Sequence, residues 1–212
     1  MNRPSQRVDL QLIESGISLL PETGCTGLSV RKLVEHAGVN LGMFHYHFKN
    51  KDNFIRAVLQ RVYEEMFAAL TVEIDLARSP LDNLRASLLV LTTFGHRHRK
   101  LLSTLVVEAL GGESLAAAFL RENLPRHLAV IGRLLTDGQA AGAIVPAPVP
   151  HLLSFVLGAI GGPLFAGGAL ERLASAPPGI IDFMLLSPAA RELRIELALR
   201  AIVILAPQAT QP

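Results

Sequence analysis

The stretch SVRKLVEHAGVNLGMFHYHFKNKD, Ser29 to Asp52, decides how the rest of the chain is read. It spells two short helices, a tight turn between them and the start of a third. The Ser29 hydroxyl is placed to accept from an amide two or three residues on, as an N-cap does. Val30, Leu33, Val34 and Ala37 recur at i, i+3, i+4 and i+7, so they share one buried face. Gly38 ends that helix, and Asn40 is suited to cap the next. In the second helix Phe44 and Phe48 turn inward, with Leu41 at the edge. Gly42, His45 and Tyr46 turn outward, flanked by Met43 and His47. The pattern is a helix-turn-helix whose second helix carries a hydrogen-bonding outer face.

Around this stretch lie 212 residues, 50% of them hydrophobic, enough for one or two domains with a sizeable core. Charge is nearly balanced, with 20 Lys or Arg against 18 Asp or Glu. The small basic excess sits in residues 1–60, which hold seven basic residues, five acidic ones and three histidines. A nucleic-acid surface calls for that sign, but the excess is modest, so the motif carries the argument. A single cysteine, Cys25, excludes an intrachain disulfide framework and a multi-cysteine metal site. It is expected to be a small hydrophobe in a turn, with redox sensing the lesser alternative. His36, near a helix end, suits the helix dipole. His45 and His47 are two apart on a helix and do not converge on a metal, so no metal and no cofactor are expected. No signal-peptide core is present, and Ser154 to Leu170, the most apolar run, is interrupted by Gly161, Gly162 and Pro163. The expectation is a cytoplasmic protein without a membrane partner.

In chain order, Asn2 to Gln6 reads as an arm and Val8 to Leu20 as a helix with Ile13, Gly16, Ile17 and Leu20 on one stripe. Pro21 to Gly27 reads as a turn rich in breakers. After the motif, Lys51 to Ile74 is a long helix with Phe54, Val58, Val62 and Met66 along one side. Pro80 opens another helix, with Leu81, Leu84, Leu88 and Leu91 at helical spacing. His96 to Lys100 interrupts the apolar pattern, Leu101 to Leu110 resumes it, and Gly111 with Gly112 ends it. Ser114 to Ala141 is long, bent or divided at Pro125. Ala140 to Pro150 is a turn. His151 to Leu173 is a very apolar helix with a possible break at Gly161 to Pro163. Ser175 to Pro188 is irregular, Ala189 to Leu205 is a final helix, and Ala206 to Pro212 is a tail. No strand pattern appears, so the fold is read as all-α: an N-terminal three-helix bundle with the helix-turn-helix, then a larger helical domain. The division falls at residues 1–51 and 52–212 and is functional more than physical, because the first three helices are too small to be comfortable alone.

An α-helix fits the major groove of B-form DNA, where base edges present distinct donors and acceptors. The outer face here offers His45 and Tyr46, with His47 at its side. Asn40 stands at the helix N-terminus, where amides and dipole favour a phosphate. Gly42 lets the helix approach closely. Lys51 would grip a second phosphate, and Ser29 and Arg31 would do so from the other side. A single such unit binds weakly, whereas a two-fold dimer reads two half-sites.

Ser29, Val30, Leu33, Ala37, Gly38, Val39, Asn40, Gly42, Phe44, Tyr46, His47, Phe48, Lys49, Asn50 and Lys51 together resemble the DNA-binding region of the TetR family of bacterial transcriptional regulators. The family pattern is a Ser or Thr cap, an apolar helix, Ala-Gly-Val, a polar residue, Lys-Gly, a Tyr-Tyr-His-Phe run and a Lys beyond. The match runs for about 25 residues without a gap, and the preceding helix and Gly24 also fit. The resemblance implies that Ser29, His47 and Lys51 contact phosphate. It implies that Asn40, Leu41, Gly42, Met43, His45 and Tyr46 line the groove-facing surface. Leu41 stands where Lys is frequent. His45 stands where the first Tyr is usual, a residue that commonly donates to the DNA backbone. Histidine also donates, with shorter reach and a pH dependence. Gly16 replaces a usual Ala and would cost about 1 kcal/mol of helix propensity at most.

For the remainder, the resemblance implies a dimer and an enclosed small-molecule pocket. Leu134 to Ile144, LLTDGQAAGAI, is similar to the family's helix end with Asp-Gly and a later Gly before an apolar residue. The candidate dimer helices are His151 to Leu170 and Ala189 to Leu205. The candidate contacts are His151, Phe155, Gly158, Ala159 and Gly162 on one, and Leu193, Leu197, Arg200 and Ile204 on the other. The pocket candidates are Phe67, Phe94, Leu105, Phe119 and Leu128 as lining, with His98, Glu108 and His127 as polar anchors, which suits a hydrophobic effector. The expected function is a dimeric, sequence-specific DNA-binding regulator, a repressor released from a palindromic double-stranded DNA operator by a small-molecule effector. The competing readings are a helical enzyme and an interaction protein that keeps the helix-turn-helix shape. No nucleophile elbow, glycine-rich phosphate loop or H-E-x-x-H motif supports the enzyme, so none is expected.

Overall fold

The computed structural model describes residues 4–75, 77–173, 177, 179–180 and 182–204. Among them the chain forms nine α-helices: α1 (Pro4–Gly27), α2 (Val30–Ala37), α3 (Leu41–Phe48), α4 (Lys51–Val72), α5 (Pro80–Arg97), α6 (Arg99–Leu110), α7 (Ser114–Ala140), α8 (Val149–Leu173) and α9 (Pro188–Ile202). A π-helical turn, Asp182–Leu186, precedes α9. The only extended pairing among the described residues is an isolated antiparallel bridge between Ile144 and Val203, so the fold is all-α.

Two compact units are present. The first joins the chain through Phe67 to His98–Leu124, and the second joins Ala68–Arg97 to the chain from Pro125. In the first, α1 packs against α2, α3 and α6. Its core holds Leu12, Leu20, Leu28, Leu33, Phe44, Phe54, Val58 and Leu105. Gly16 is demanded by this packing. A Cβ there would stand 2.7 Å from Phe54 Cζ and 2.7 Å from Val58 Cγ2, so the propensity it forgoes is exchanged for close approach of α1 to α4.

The breakers before the motif act later than their positions suggest. Helix α1 continues through Pro21 and departs from helical geometry only at Gly24, with φ 66° and ψ −179°. Proline removes one bond from the ladder. The helix persists because α6 lies along it: the Thr104 hydroxyl donates to the Pro21 carbonyl at 3.1 Å, and Lys100 pairs with Glu22 at 3.0 Å. The expected arm is also helical from Pro4, with Asn2 and Arg3 outside the described residues. Pro125 does not divide α7, and Pro163 does not break α8.

In the second unit α8, α9, α5 and the π-helical turn pack together. The buried side of α8 is Leu152, Val156, Ile160 and Leu164, four residues apart each time, and α9 contributes Ile195, Ala198, Leu199 and Ile202. Ser187 caps α9 by accepting from the Ala190 amide at 3.3 Å, with Pro188 at the first helical position. The Asp-Gly and later Gly after Leu135 gain a physical reason here. Ile144 is buried against Gly138, where a Cβ would meet its Cδ1 at 2.5 Å. Part of the irregular Ser175 to Pro188 segment, together with Leu205 and the tail, lies outside the described residues.

Candidate nucleic-acid interface

The helix-turn-helix is built from caps and one aromatic cluster. Ser29 accepts from the Lys32 amide at 3.5 Å, and Gly38 closes α2 in the left-handed region at φ 66° and ψ 30°. Asn40 Oδ1 accepts from the Met43 amide at 2.9 Å and starts α3. Phe44 is fully buried, and its ring meets Phe48 at 5.9 Å and Phe54 at 5.5 Å between centroids. Phe48 and Phe54 stand edge to face at 5.0 Å. With its inner side fixed, α3 exposes Leu41, Gly42, His45 and Tyr46, while Met43 and His47 are half-buried. These are the facings that the helical spacing predicts. Tyr46 is 75% exposed.

The expected phosphate ligands are placed unequally. Arg31 is exposed, and the Ser29 hydroxyl, accepting only a long bond, keeps its own hydrogen to donate. Lys51 Nζ donates to the Thr26 carbonyl at 2.8 Å, so part of its capacity is spent inside the chain, although an ammonium has two further donors. The Nε2 of His47 is buried with no hydrogen-bond partner, so His47 cannot present that nitrogen to a phosphate as its ring stands. Two exposed cations that the resemblance did not assign, Lys32 and Lys49, flank the same surface.

Behind the interface lies a clamp that spacing could not reveal. Glu108, from α6, accepts from the Cys25 amide through Oε2 at 2.8 Å and from the Thr26 amide through Oε1 at 3.1 Å. Gly24 makes room, since a Cβ there would stand 2.3 Å from Glu108 Oε1 in a backbone region that already disfavours side chains. Burial pushes the Glu108 carboxyl up, but the hydrogen bonds from Cys25 and Thr26 outweigh it and hold the group below its ordinary value. Glu108 was expected to anchor an effector. Its two oxygens are instead committed to backbone amides, because the kink at Gly24 leaves those amides without helical acceptors. Cys25 is buried, and burial together with the neighbouring Glu108 carboxylate pushes its thiol up to about 12, which leaves almost no thiolate for redox chemistry.

The other pocket candidates divide between the units. Phe67, His98, Leu105 and Phe119 belong to the first, and Phe94, His127 and Leu128 to the second. Phe67 and Phe119 are brought together through Tyr63, which stacks on Phe67 at 6.0 Å and meets Phe119 edge-on at 6.2 Å. Tyr63 carries no signal of its own in the sequence, where it is one more apolar position of α4. Its hydroxyl donates to the Asn123 carbonyl at 2.7 Å, and Asn123 is itself buried. Leu105 is buried among core residues, and burial holds the His127 imidazole below its ordinary value. Of the proposed dimer contacts, His151, Phe155, Gly158 and Gly162 are exposed along one side of α8, with Ala159 half-buried beside them. Leu193, Leu197 and Arg200 form an exposed line on α9, continued by the exposed Ile204 just beyond its end.

This geometry defines a helix-turn-helix protein with an outward, hydrogen-bonding second helix, the form taken by DNA-binding transcriptional regulators. Residues 12–58 match the family described as bacterial regulatory proteins, tetR family, which identifies this segment as a TetR-family helix-turn-helix region. It is similar to the "Probable HTH-type transcriptional regulator YttP" of Bacillus subtilis (strain 168), 23% identical over 147 residues, which cover 68% of this chain and 70% of that protein. It is 26% identical over 102 residues to the HTH-type transcriptional repressor KstR2 of Mycolicibacterium smegmatis, covering 48% of this chain and 49% of the other. Among solved structures, the "Clostridium perfringens putative fatty acid metabolism regulator" superposes with a TM-score of 0.72 at 18% identity, over 92% of this chain and 100% of that one. Each of these relatives is described as a regulator or repressor.

Proposed function

We propose that the chain acts as a homodimer whose two α3 helices read a palindromic double-stranded DNA operator, and that it represses until a small, mainly hydrophobic effector releases it. The observation that carries the reading is the outer face of α3, exposed and hydrogen-bonding over a fully buried Phe44. Residues 1–51 serve reading, and residues 52–212 serve effector binding and pairing. Ser29, Arg31 and the free donors of Lys51 hold phosphate, while Leu41, Gly42, Met43, His45 and Tyr46 face the groove. Pairing is supported by apolar side chains left exposed on α8 and α9, Leu193 and Leu197 among them, which water does not favour and a second copy would cover. The aromatic group of Tyr63, Phe67 and Phe119 supports a hydrophobic effector. Repression is supported by the names of KstR2 and of the tetracycline repressor protein class A of Escherichia coli, 40% identical over 57 residues that cover 27% of this chain and 24% of that one. An effector acts only through different affinities for the two DNA-binding states.

The test is selection of genomic fragments by the purified protein, with and without metabolite extract. Recovery of one palindromic sequence, lost when extract is added, is expected. Salt-sensitive binding without sequence preference, or no binding, overturns the reading.

A further inference from the structure

The Nδ1 of His45 lies 3.1 Å from the carbonyl oxygen of Lys49. A carbonyl oxygen only accepts, so Nδ1 carries the hydrogen. In the neutral ring Nε2 then has a lone pair and no hydrogen. The backbone holds this carbonyl in place. Lys49 has φ 65° and ψ −50°, its amide donates to the His45 carbonyl at 3.1 Å, and the Asn50 amide donates to the Phe48 carbonyl at 2.7 Å. That is a γ-turn of the strained sense for a residue with a side chain. It persists because both ends are tied: Asn50 Oδ1 accepts from the Asn53 amide at 2.8 Å and caps α4. The turn therefore sets the tautomer of an exposed ring that would otherwise be free to choose.

Resting on the DNA-binding reading above, we infer that His45 is a base-reading residue whose Nε2 accepts from the exocyclic amino group of adenine or cytosine in the major groove. A phosphate oxygen also offers only lone pairs, so neutral Nε2 gains nothing from the DNA backbone. The role differs from that of a tyrosine, whose hydroxyl donates. Among major-groove edges, adenine N6 and cytosine N4 donate, whereas guanine N7 and O6 and thymine O4 accept. On the strand it touches, His45 selects adenine or cytosine against guanine and thymine. Of the residues that share the exposed side of α3, Leu41 and Gly42 carry no side-chain hydrogen bond, and the Tyr46 hydroxyl is the other polar group there.

Nitrogen NMR of the protein at pH 8 is expected to show the Nδ1–H tautomer at His45, and the Nε2–H tautomer would overturn the inference. The operator recovered by fragment selection is then altered one base at a time at pH 8, purine replacing adenine and 2-pyrimidinone replacing cytosine, so that only the amino group is lost. One position in each half-site is expected to weaken binding about fivefold, the scale of one hydrogen bond. That loss is absent in His45→Ala, retained in His45→Gln, which keeps an acceptor, and replaced by a preference for guanine or thymine in His45→Lys. Circular dichroism confirms that each variant folds. An operator with no such position, or a uniform loss on specific and random DNA in His45→Ala, overturns this inference alone. Failure to recover any operator overturns the DNA-binding reading together with it.

Discussion

Helices α3 and α8 each bury one side and expose the other, but the exposed sides differ in kind. On α3 the outer residues include His45 and Tyr46, which water satisfies as well as a nucleic acid would. On α8 the outer line is His151, Phe155, Gly158 and Gly162, and the nearby α9 adds Leu193 and Leu197, each more than half exposed. A polar face is stable while it waits for its partner. An apolar face costs free energy until it is covered. The contrast separates a face that is stable uncovered from one that the proposed pairing of two copies would cover.

The strongest way to break the contrast is to remove what holds the α3 face outward. Phe44→Ala empties the centre of the aromatic cluster and is expected to destabilise the first unit by about 3–5 kcal/mol, read by thermal melting, with loss of DNA binding. A small change in melting temperature would show that α3 does not depend on that ring. On the other face, Leu193→Glu with Leu197→Glu is expected to weaken self-association by about 3 kcal/mol, roughly a hundredfold, read by sedimentation, while the melted fraction of dilute protein changes little. A collapse of the monomer's stability would place these leucines in the core instead.

The clamp behind the reading helices tests whether the first unit is held from outside the motif. Glu108→Ala leaves two amides without acceptors and is expected to cost about 1–3 kcal/mol. The sign of its pH dependence follows from the lowered carboxyl. In the wild type the contribution is complete above the ordinary value of 4.5 and is lost as pH falls through the lowered one, so the acid side of the stability profile flattens in Glu108→Ala. Equal acid sensitivity in both proteins would remove Glu108 from the account. The smallest effect is expected from Asn40→Ala, about 1 kcal/mol from the lost cap of α3. If Asn40 also meets phosphate, operator affinity falls by more than the cap explains.

Much of α2 and α3 was legible because its signals are local. A cap bonds within three residues, a helix repeats every three or four, and Gly38 marks a left-handed end wherever the rest of the chain lies. Pro80 opens α5 as its position predicts, but Pro21, Pro125 and Pro163 lie inside helices, for the opposite reason. Whether Pro21 ends a helix depends on what packs beside it, and here α6 does. The loss of Glu108 from the effector candidates has the same origin, for its partners are 83 and 82 residues away in sequence. Gly16 reads as a weak helix position until Phe54 and Val58 are seen 2.7 Å from where its Cβ would be.

The amino-acid sequence by itself determined the all-α class, the helix-turn-helix, the side of α3 that faces outward and the apolar lines on α8 and α9, since each follows from periodicity and caps along a single helix. Only the tertiary structure decided that Lys51 spends a donor on Thr26, that Cys25 is an inert thiol against Glu108, that His47 hides Nε2, and that His45 sets Nδ1 against the Lys49 carbonyl. Those depend on groups brought together by the turn at Lys49 and by the packing of α6 on α1, and hydrogen-bond partners so placed leave no period in the sequence.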